Sequence, residues 1–306
     1  LMNDEEIQPI IKGGVFDPGW VLGLQDLPDM DTLLQNLNDL LSTDKSKMSA
    51  DEIKQLFFRK IVLFPNSADK IPAATFNIQK FARVRRNVGA HEDINTMAPF
   101  TYPPKCTTNG RANIIGQSVF YCSNTLAASL FECRPAVGEI VYFSDWSACC
   151  TDDVNIRFLL SDNISVKNPL YPLALRRLAE IKAMAEAWGM EKAPKLELIT
   201  RFLGNAFISE EHPYPLSSWI ANDILFGKQA VDVLYYPSVM TEQVSCNLAM
   251  TPTFVDRFLR PNRVFKMEII EKTSRSIRPQ VLAVGTMAGN KVIWDNIRDE
   301  DMAFFH

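Results

Sequence analysis

Residues 109–132 read NGRANIIGQSVFYCSNTLAASLFE, and the local structure of this stretch governs how the rest of the chain is read. Asn109-Gly110 is a turn pair and Gly116 marks a second bend, which offers Arg111 and Asn113 on a loop. Ser118 to Cys122 then reads as a strand, with Val119 and Tyr121 on one face and Phe120 and Cys122 on the other. On this reading Tyr121 can point where Arg111 points. After Asn124, a residue type suited to an N-cap, TLAASLFE reads as a helix that puts Thr125, Ala128, Ser129 and Glu132 on one face and Leu126 and Leu130 on another. A face of small residues ending in a carboxylate leaves open space beside the helix, and Glu132 lines a pocket if that face turns inward. The plain alternative makes Arg111 and Glu132 an ordinary ion pair and Tyr121 a half-buried core aromatic. The case for a site rests on the combination.

Upstream, Leu33, Leu34, Leu37, Leu40 and Leu41 recur at the spacing that lines one face of a helix. A second helix follows, opened by Ser49 with Glu52 three residues on, a capping box, carrying Ile53, Leu56, Phe57 and Ile61 on its apolar side and interrupted by Pro65. The stretch from Pro65 to Ala74 is rich in Pro, Ala, Ser and Asn and predicts a connector, so residues 1–75 read as an N-terminal helical extension and 76–306 as the main domain. Downstream, the strand candidates are Glu139 to Phe143, Val154 to Leu160, Val231 to Tyr236 and Val264 to Ile270. Val281 to Val284 and Lys291 to Trp294 flank a hairpin turn at Gly289-Asn290. Helices are expected over Leu175 to Trp188, closed by Gly189, and over Leu196 to Phe207 and Leu216 to Phe226. Strands and helices do not alternate regularly, so the expectation is a mixed α+β domain rather than a doubly wound parallel sheet. Arg83, Arg85 and Arg86 form a basic run, the kind that is usually a solvated face.

The chain has 306 residues, 47% of them hydrophobic, enough for a full-sized core. Its net charge of −4 and pI of about 5.5 give no reason to expect a polyanionic partner, which makes nucleic-acid binding a poor first guess. No apolar run approaches the length of a bilayer span, and the stretch Leu1 to Ile7 is acidic where a secretory signal would be basic and then apolar, so no membrane and a cytoplasmic setting are expected. The six cysteines, Cys106, Cys122, Cys133, Cys149, Cys150 and Cys246, contain no C-x-x-C pair, and with only His91, His212 and His306 beside them a structural zinc site has little to work with. The adjacent Cys149 and Cys150 read as plain reduced thiols.

Walker A, G-x-G-x-x-G, H-E-x-x-H and G-x-S-x-G motifs are all missing. Three histidines leave little room for a Ser-His-Asp triad, and His91 and His212 sit in polar, loop-like surroundings. Any chemistry must run largely on carboxylate, guanidinium, phenol and hydroxyl groups.

Taken in order, four short elements resemble the RES family: Phe81-Ala82-Arg83-Val84-Arg85, then Gly110-Arg111-Ala112-Asn113 with Gly116, then Phe120-Tyr121 followed by Ala127-Ala128 through Glu132, and finally Tyr235-Tyr236-Pro237-Ser238-Val239 with Asn247 after it. The spacing, from 111 to 121 and from 121 to 132, is similar to that family's, and the resemblance covers roughly residues 76 to 250. The segment Val137 to Lys195 is long for a compact member, and both ends are extended.

The resemblance implies a fold similar to ADP-ribosyltransferases, a mixed or antiparallel sheet with surrounding helices, and NAD as the substrate. It implies cleavage of the nicotinamide–ribose bond with water or inorganic phosphate as acceptor, or mono-ADP-ribosyl transfer to a protein, by a toxin held in check by a cognate antitoxin. NAD is then a substrate and no cofactor is required. Glu132 would stabilise the oxocarbenium-like cation, Arg111, supplemented by Arg83, would bind the diphosphate, and Tyr121 would stack on nicotinamide. Ser238 would bond the ribose or amide, with Asn113 and Asn247 as further substrate contacts. The plain reading of Ser238 is a turn residue at a strand end, and of Asn113 a loop cap. A non-catalytic nucleotide-binding module whose N-terminal helices engage a partner is the competing class, and a homo-oligomer is compatible with both.

Overall fold

In the computed structural model the chain is described over residues 26–65, 68–89, 92–176, 179–180, 192–298 and 301. In chain order its elements are α1 (Met30–Ser42), α2 (Ala50–Ile61), β1 (Asp69–Ile71), α3 (Ala73–Asn77), β2 (Lys80–Arg86), β3 (Phe120–Ser123), α4 (Leu126–Cys133), β4 (Ile140–Ala148) and β5 (Val154–Phe158). They continue with α5 (Lys192–Ser209), α6 (Pro215–Phe226), β6 (Val233–Pro237), β7 (Cys246–Met250), α7 (Pro252–Phe258), β8 (Leu259–Lys272), β9 (Ile277–Ala288) and β10 (Lys291–Asp295). This is the mixed α+β composition expected. The helix read over Leu175 to Trp188 falls largely outside the described residues, as do His91, His306 and the acidic stretch Leu1 to Ile7.

Two compact units interleave along the chain. One takes residues up to 71, 105–117 and 154–237, and the other takes 72–104, 118–153 and 238–306. In the first, β1 pairs antiparallel with β5, and β5 runs parallel to β6. The capping box forms as read, with Ser49 and Glu52 bonding each other's main chain. Leu33, Leu37 and Leu40 are buried, whereas Leu34 and Leu41 are exposed, so the apolar stripe of α1 is narrower than the sequence suggests. Helix α2 ends at Ile61 because Val62 takes a positive φ of 64°, before Pro65 is reached. Phe57 of α2 packs on Trp219 of α6 with ring centroids 4.9 Å apart. The helices α1 and α2 therefore belong to the same unit as α5 and α6 and do not stand apart as an extension.

The second unit is an antiparallel sheet in the order β7-β3-β2-β4-β8-β9-β10. The hairpin turn at Gly289-Asn290 joins β9 to β10, with Gly289 at φ 62°. The strands β2 and β7 went unread. β7 is buried at every position and so shows no alternation, while the arginines of β2 read as a charged run although Ala82 and Val84 are buried and Arg83 and Arg85 half-buried between them. The arginine run is not a solvated face: Arg85 donates to Pro99 O at 2.6 Å and pairs with Glu92 at 2.7 Å, and Arg86 forms a two-pronged pair with Glu139 at 2.7 and 2.8 Å. Between β4 and β8 a register shift falls at Asp145 and Trp146, where Pro261 pairs with Trp146 and supplies no N–H to the ladder.

Close main-chain approach in the first unit depends on Gly204 of α5, where an added Cβ would overlap the Leu160 carbonyl. Because the obstacle is backbone, it cannot rotate away. Gly204→Ala is expected to lower stability by about 3 kcal/mol, the upper end of overpacking costs, read as a lower denaturant midpoint at unchanged slope.

Candidate active site

The helix α4 is held on β2 by two bonds from its buried side to main-chain carbonyls. Ser129 Oγ donates to Ala82 O at 2.6 Å, and Cys133 Sγ donates to Val84 O at 3.1 Å. Ala128 is 0% exposed and Ser129 is 4% exposed. The small-residue face therefore does not leave open space, as expected from sequence, but closes the distance between helix and strand. Leu130 joins the core with Val84, Phe143, Phe265 and Met267. The N-cap is Thr125, which accepts from Ala128 N, and not Asn124, whose Oδ1 accepts from Cys246 N at 3.0 Å. At the other end Arg134 takes the left-handed conformation at φ 49°, and Arg86 Nη1 donates to Cys133 O at 3.0 Å and Arg134 O at 3.1 Å. A guanidinium on the last carbonyls complements the helix dipole and fixes the turn that carries Glu132.

Glu132 is exposed, yet one of its oxygens is held tightly. Ser238 Oγ donates to Oε1 at 2.6 Å and Asn247 Nδ2 donates to the same oxygen at 2.7 Å. Both bonds fall on Oε1, and among the described residues Oε2 has none. Ser238 is 0% exposed and Asn247 is 5% exposed. Main-chain bonds from Ser238 N to Ser245 O and from Gln243 N to Ser238 O, both 2.8 Å, pin the turn that offers the hydroxyl. Behind Asn247 stands Ser123, whose Oγ donates to Asn247 Oδ1 at 2.6 Å. The result is an exposed carboxylate with one oxygen doubly anchored and the other bonded by no described residue, suited to stabilising a cation beside it.

Sequence reasoning placed Glu132, Ser238 and Asn247 separately, and the fold brings all three together. Ser238 and Asn247 bond Glu132 directly. Ser123 was missed, since nothing in its neighbourhood in sequence marks it; it lies opposite Asn247 in the β3–β7 register. Tyr121, two residues before Ser123, shares its face of β3 by strand alternation and is half-buried.

Arg83 stands where the β2–β3 ladder, paired at Ala82 and Ser123, opens. Its Nη1 donates to Tyr121 O at 2.8 Å, and its guanidinium lies 5.3 Å from the Phe120 ring centroid. Nε is buried with no hydrogen-bond partner among the described residues, and burial draws the pKa of the group below the usual guanidinium value. The thiol next to Glu132 is no nucleophile at neutral pH, because burial pushes Cys133 up to about 11, an effect that Arg83 only partly offsets.

Arg111 and Asn113 belong to the other unit. Arg111 Nη1 donates to Phe207 O and, at 3.1 Å, to Ile208 O at the C-terminal end of α5, and the guanidinium lies 4.7 Å over the Tyr214 ring. Asn113 is 3% exposed, and its Nδ2 donates to Thr108 O and Ile114 O, each at 3.1 Å. That is the loop-fixing role held open for it. The turn at Gly110 and the bend at Gly116, φ 87°, form as read. His212 is exposed. Among the described residues no group of three or more His, Cys, Asp or Glu converges as metal ligands would, and no helix is long and apolar enough to cross a membrane.

The Arg86–Glu139 pair sets a pH dependence. Hydrogen bonding from Arg86 holds the Glu139 carboxyl below the ordinary glutamate value, against a smaller opposing effect of burial. A folded-state pKa below the unfolded one makes this contribution present above the unfolded value of about 4.3 and lost as pH falls through the folded one. Glu139→Gln is therefore expected to lower the thermal midpoint at pH 7 and to show a smaller fall in midpoint between about pH 5 and pH 3 than the unaltered chain. The pair is partly exposed, with side-chain exposures of 35% and 17%. Its effect is therefore expected to be on the order of 1 kcal/mol or less.

A family model described as RES domain matches residues 80–266, more than half of the chain. No curated protein matches the sequence.

Proposed function

The chain belongs to the RES domain family, and from that premise we propose that it is an NAD-consuming enzyme that breaks the nicotinamide–ribose bond. The observation that supports this most is the exposed Glu132 carboxylate, held through Oε1 by Ser238 and Asn247 while no described residue bonds Oε2. Cleavage sends the bonding electron pair to the nicotinamide nitrogen and leaves positive charge shared between C1′ and the ring oxygen of the ribose. A fixed anion beside that charge stabilises the transition state more than the ground state. The acceptor oxygen then bonds to C1′ from water or inorganic phosphate and loses a proton, giving ADP-ribose or its phosphate. Tyr121, on the same strand face as Ser123, is assigned the nicotinamide platform. Arg111 is assigned the diphosphate contact, its guanidinium steadied by the α5 carbonyls and Tyr214. In this reading Ser238 and Asn247 act on substrate through Glu132, and Arg83 acts by supporting Tyr121 through its carbonyl. Activity of this kind fits a toxin that depletes NAD and is restrained by a cognate antitoxin inside the cell.

The reading is tested by incubating the purified chain with NAD, with and without phosphate, and identifying the products. Loss of NAD with release of nicotinamide is expected, and Glu132→Gln, which keeps the Oε1 acceptor but removes the charge, should slow it by roughly 100-fold or more. Label appearing on protein would make the acceptor a side chain and the enzyme an ADP-ribosyltransferase. Binding of NAD without turnover under any condition would sink the enzymatic reading and leave a nucleotide-binding module.

A further inference from the structure

Ser123 closes β3, is 3% exposed, and lies directly opposite Asn247 in the β3–β7 register. Directly opposed residues put their side chains on one face of a sheet, close enough to bond. Its hydroxyl donates to Asn247 Oδ1 at 2.6 Å, while Nδ2 of the same amide donates to Glu132 Oε1 at 2.7 Å. The two ends of an Asn amide are nearly the same shape, so shape alone does not choose which one meets Glu132. Chemistry does. An ionised carboxylate only accepts, which requires the NH2 end on Glu132, and that arrangement buries Oδ1 on the far side of the amide. A buried carbonyl without a donor is strongly disfavoured, and turning the amide over would set Oδ1 against Oε1, acceptor to acceptor. The Ser123 hydroxyl supplies the missing donor and so satisfies Oδ1 in the orientation that the carboxylate selects.

We propose that Ser123 is a positioning residue for Glu132, holding the Asn247 amide in the orientation in which its NH2 meets Oε1 beside the Ser238 hydroxyl. The inference rests on the reading of Glu132 as the group that stabilises the ribosyl cation. It assigns no contact with substrate to Ser123: the residue acts two bonds away from the carboxylate, and its loss is felt by the transition state rather than by substrate binding.

The test compares Ser123→Ala, Asn247→Ala and the double variant of the full chain in steady-state NAD consumption. Ser123→Ala is expected to lower kcat about tenfold with KM within about twofold, and Asn247→Ala to lower kcat at least as much. The double variant should be no slower than Asn247→Ala alone, since no amide remains for Ser123 to orient. Ser123→Thr, which keeps the hydroxyl, should restore most of kcat, and Ser123→Cys, a weak donor of similar size that stands in where Ser123→Ala folds poorly, should lower kcat in the same way. Effects of Ser123→Ala and Asn247→Ala that multiply, or an unchanged kcat in Ser123→Ala and Ser123→Cys, would overturn the proposal. A second readout is independent of activity: the Asn247 side-chain NH2 resonance, identified by its loss in Asn247→Ala, should move in Ser123→Ala and return in Ser123→Thr. If it does not move, the proposal fails whether or not NAD is consumed. If it moves in a chain that consumes no NAD, the catalytic reading of Glu132 fails and the orienting bond from Ser123 stands.

Discussion

The helix α4 can lie on β2 only because Ala128 and Ser129 are small. Larger side chains there would lift the helix from the strand, and Ser129 Oγ could no longer reach Ala82 O at 2.6 Å. Everything that follows at Glu132 inherits that distance. The carboxylate sits in the last turn of a short helix whose start is capped by Thr125 and whose end is gripped by Arg86, so its Cα is fixed from both sides. What would be an open face if the helix stood alone becomes the contact that places the charge.

With the helix fixed, the carboxylate is shaped by what is buried around it. Ser238, Asn247 and Ser123 are each at most 5% exposed, while Glu132 itself is exposed. An exposed acid bonded by buried donors keeps its charge in contact with solvent while its geometry is set from the interior. Hydrogen bonds to an ionised acceptor are stronger than neutral ones, and here two converge on a single oxygen. No described residue bonds the other oxygen.

The arginines divide their work differently from what their sequence context suggests. Arg86 caps α4, Arg85 ties β2 to Pro99 and Glu92, and Arg83 takes up the Tyr121 carbonyl where the ladder opens. In the other unit Arg111 grips the last carbonyls of α5 and stacks over Tyr214. A guanidinium with five donors can meet several carbonyls at once, which suits it to chain ends and ladder gaps where main-chain acceptors collect.

Local patterns determined the α+β class, the capping box at Ser49, the bends at Gly110 and Gly116, the hairpin at Gly289-Asn290 and the order of motifs that marks the family. Each of these depends on residues within a few positions of one another, where φ preference and periodicity act directly. The tertiary structure decided the rest. Neither β2 nor β7 is legible as a strand, because β7 is buried at every position and the arginines of β2 read as a charged run. The role of the small-residue face reversed because only the neighbouring strand shows whether a face is open or closed. Glu132, Ser238 and Asn247 could be named from sequence, but their convergence on one oxygen, and the part of Ser123 in it, could not. Those bonds join residues 106, 115 and 124 positions apart, and such distances are closed by the pairing of β3 with β7 and the docking of α4, not by anything local to the residues themselves.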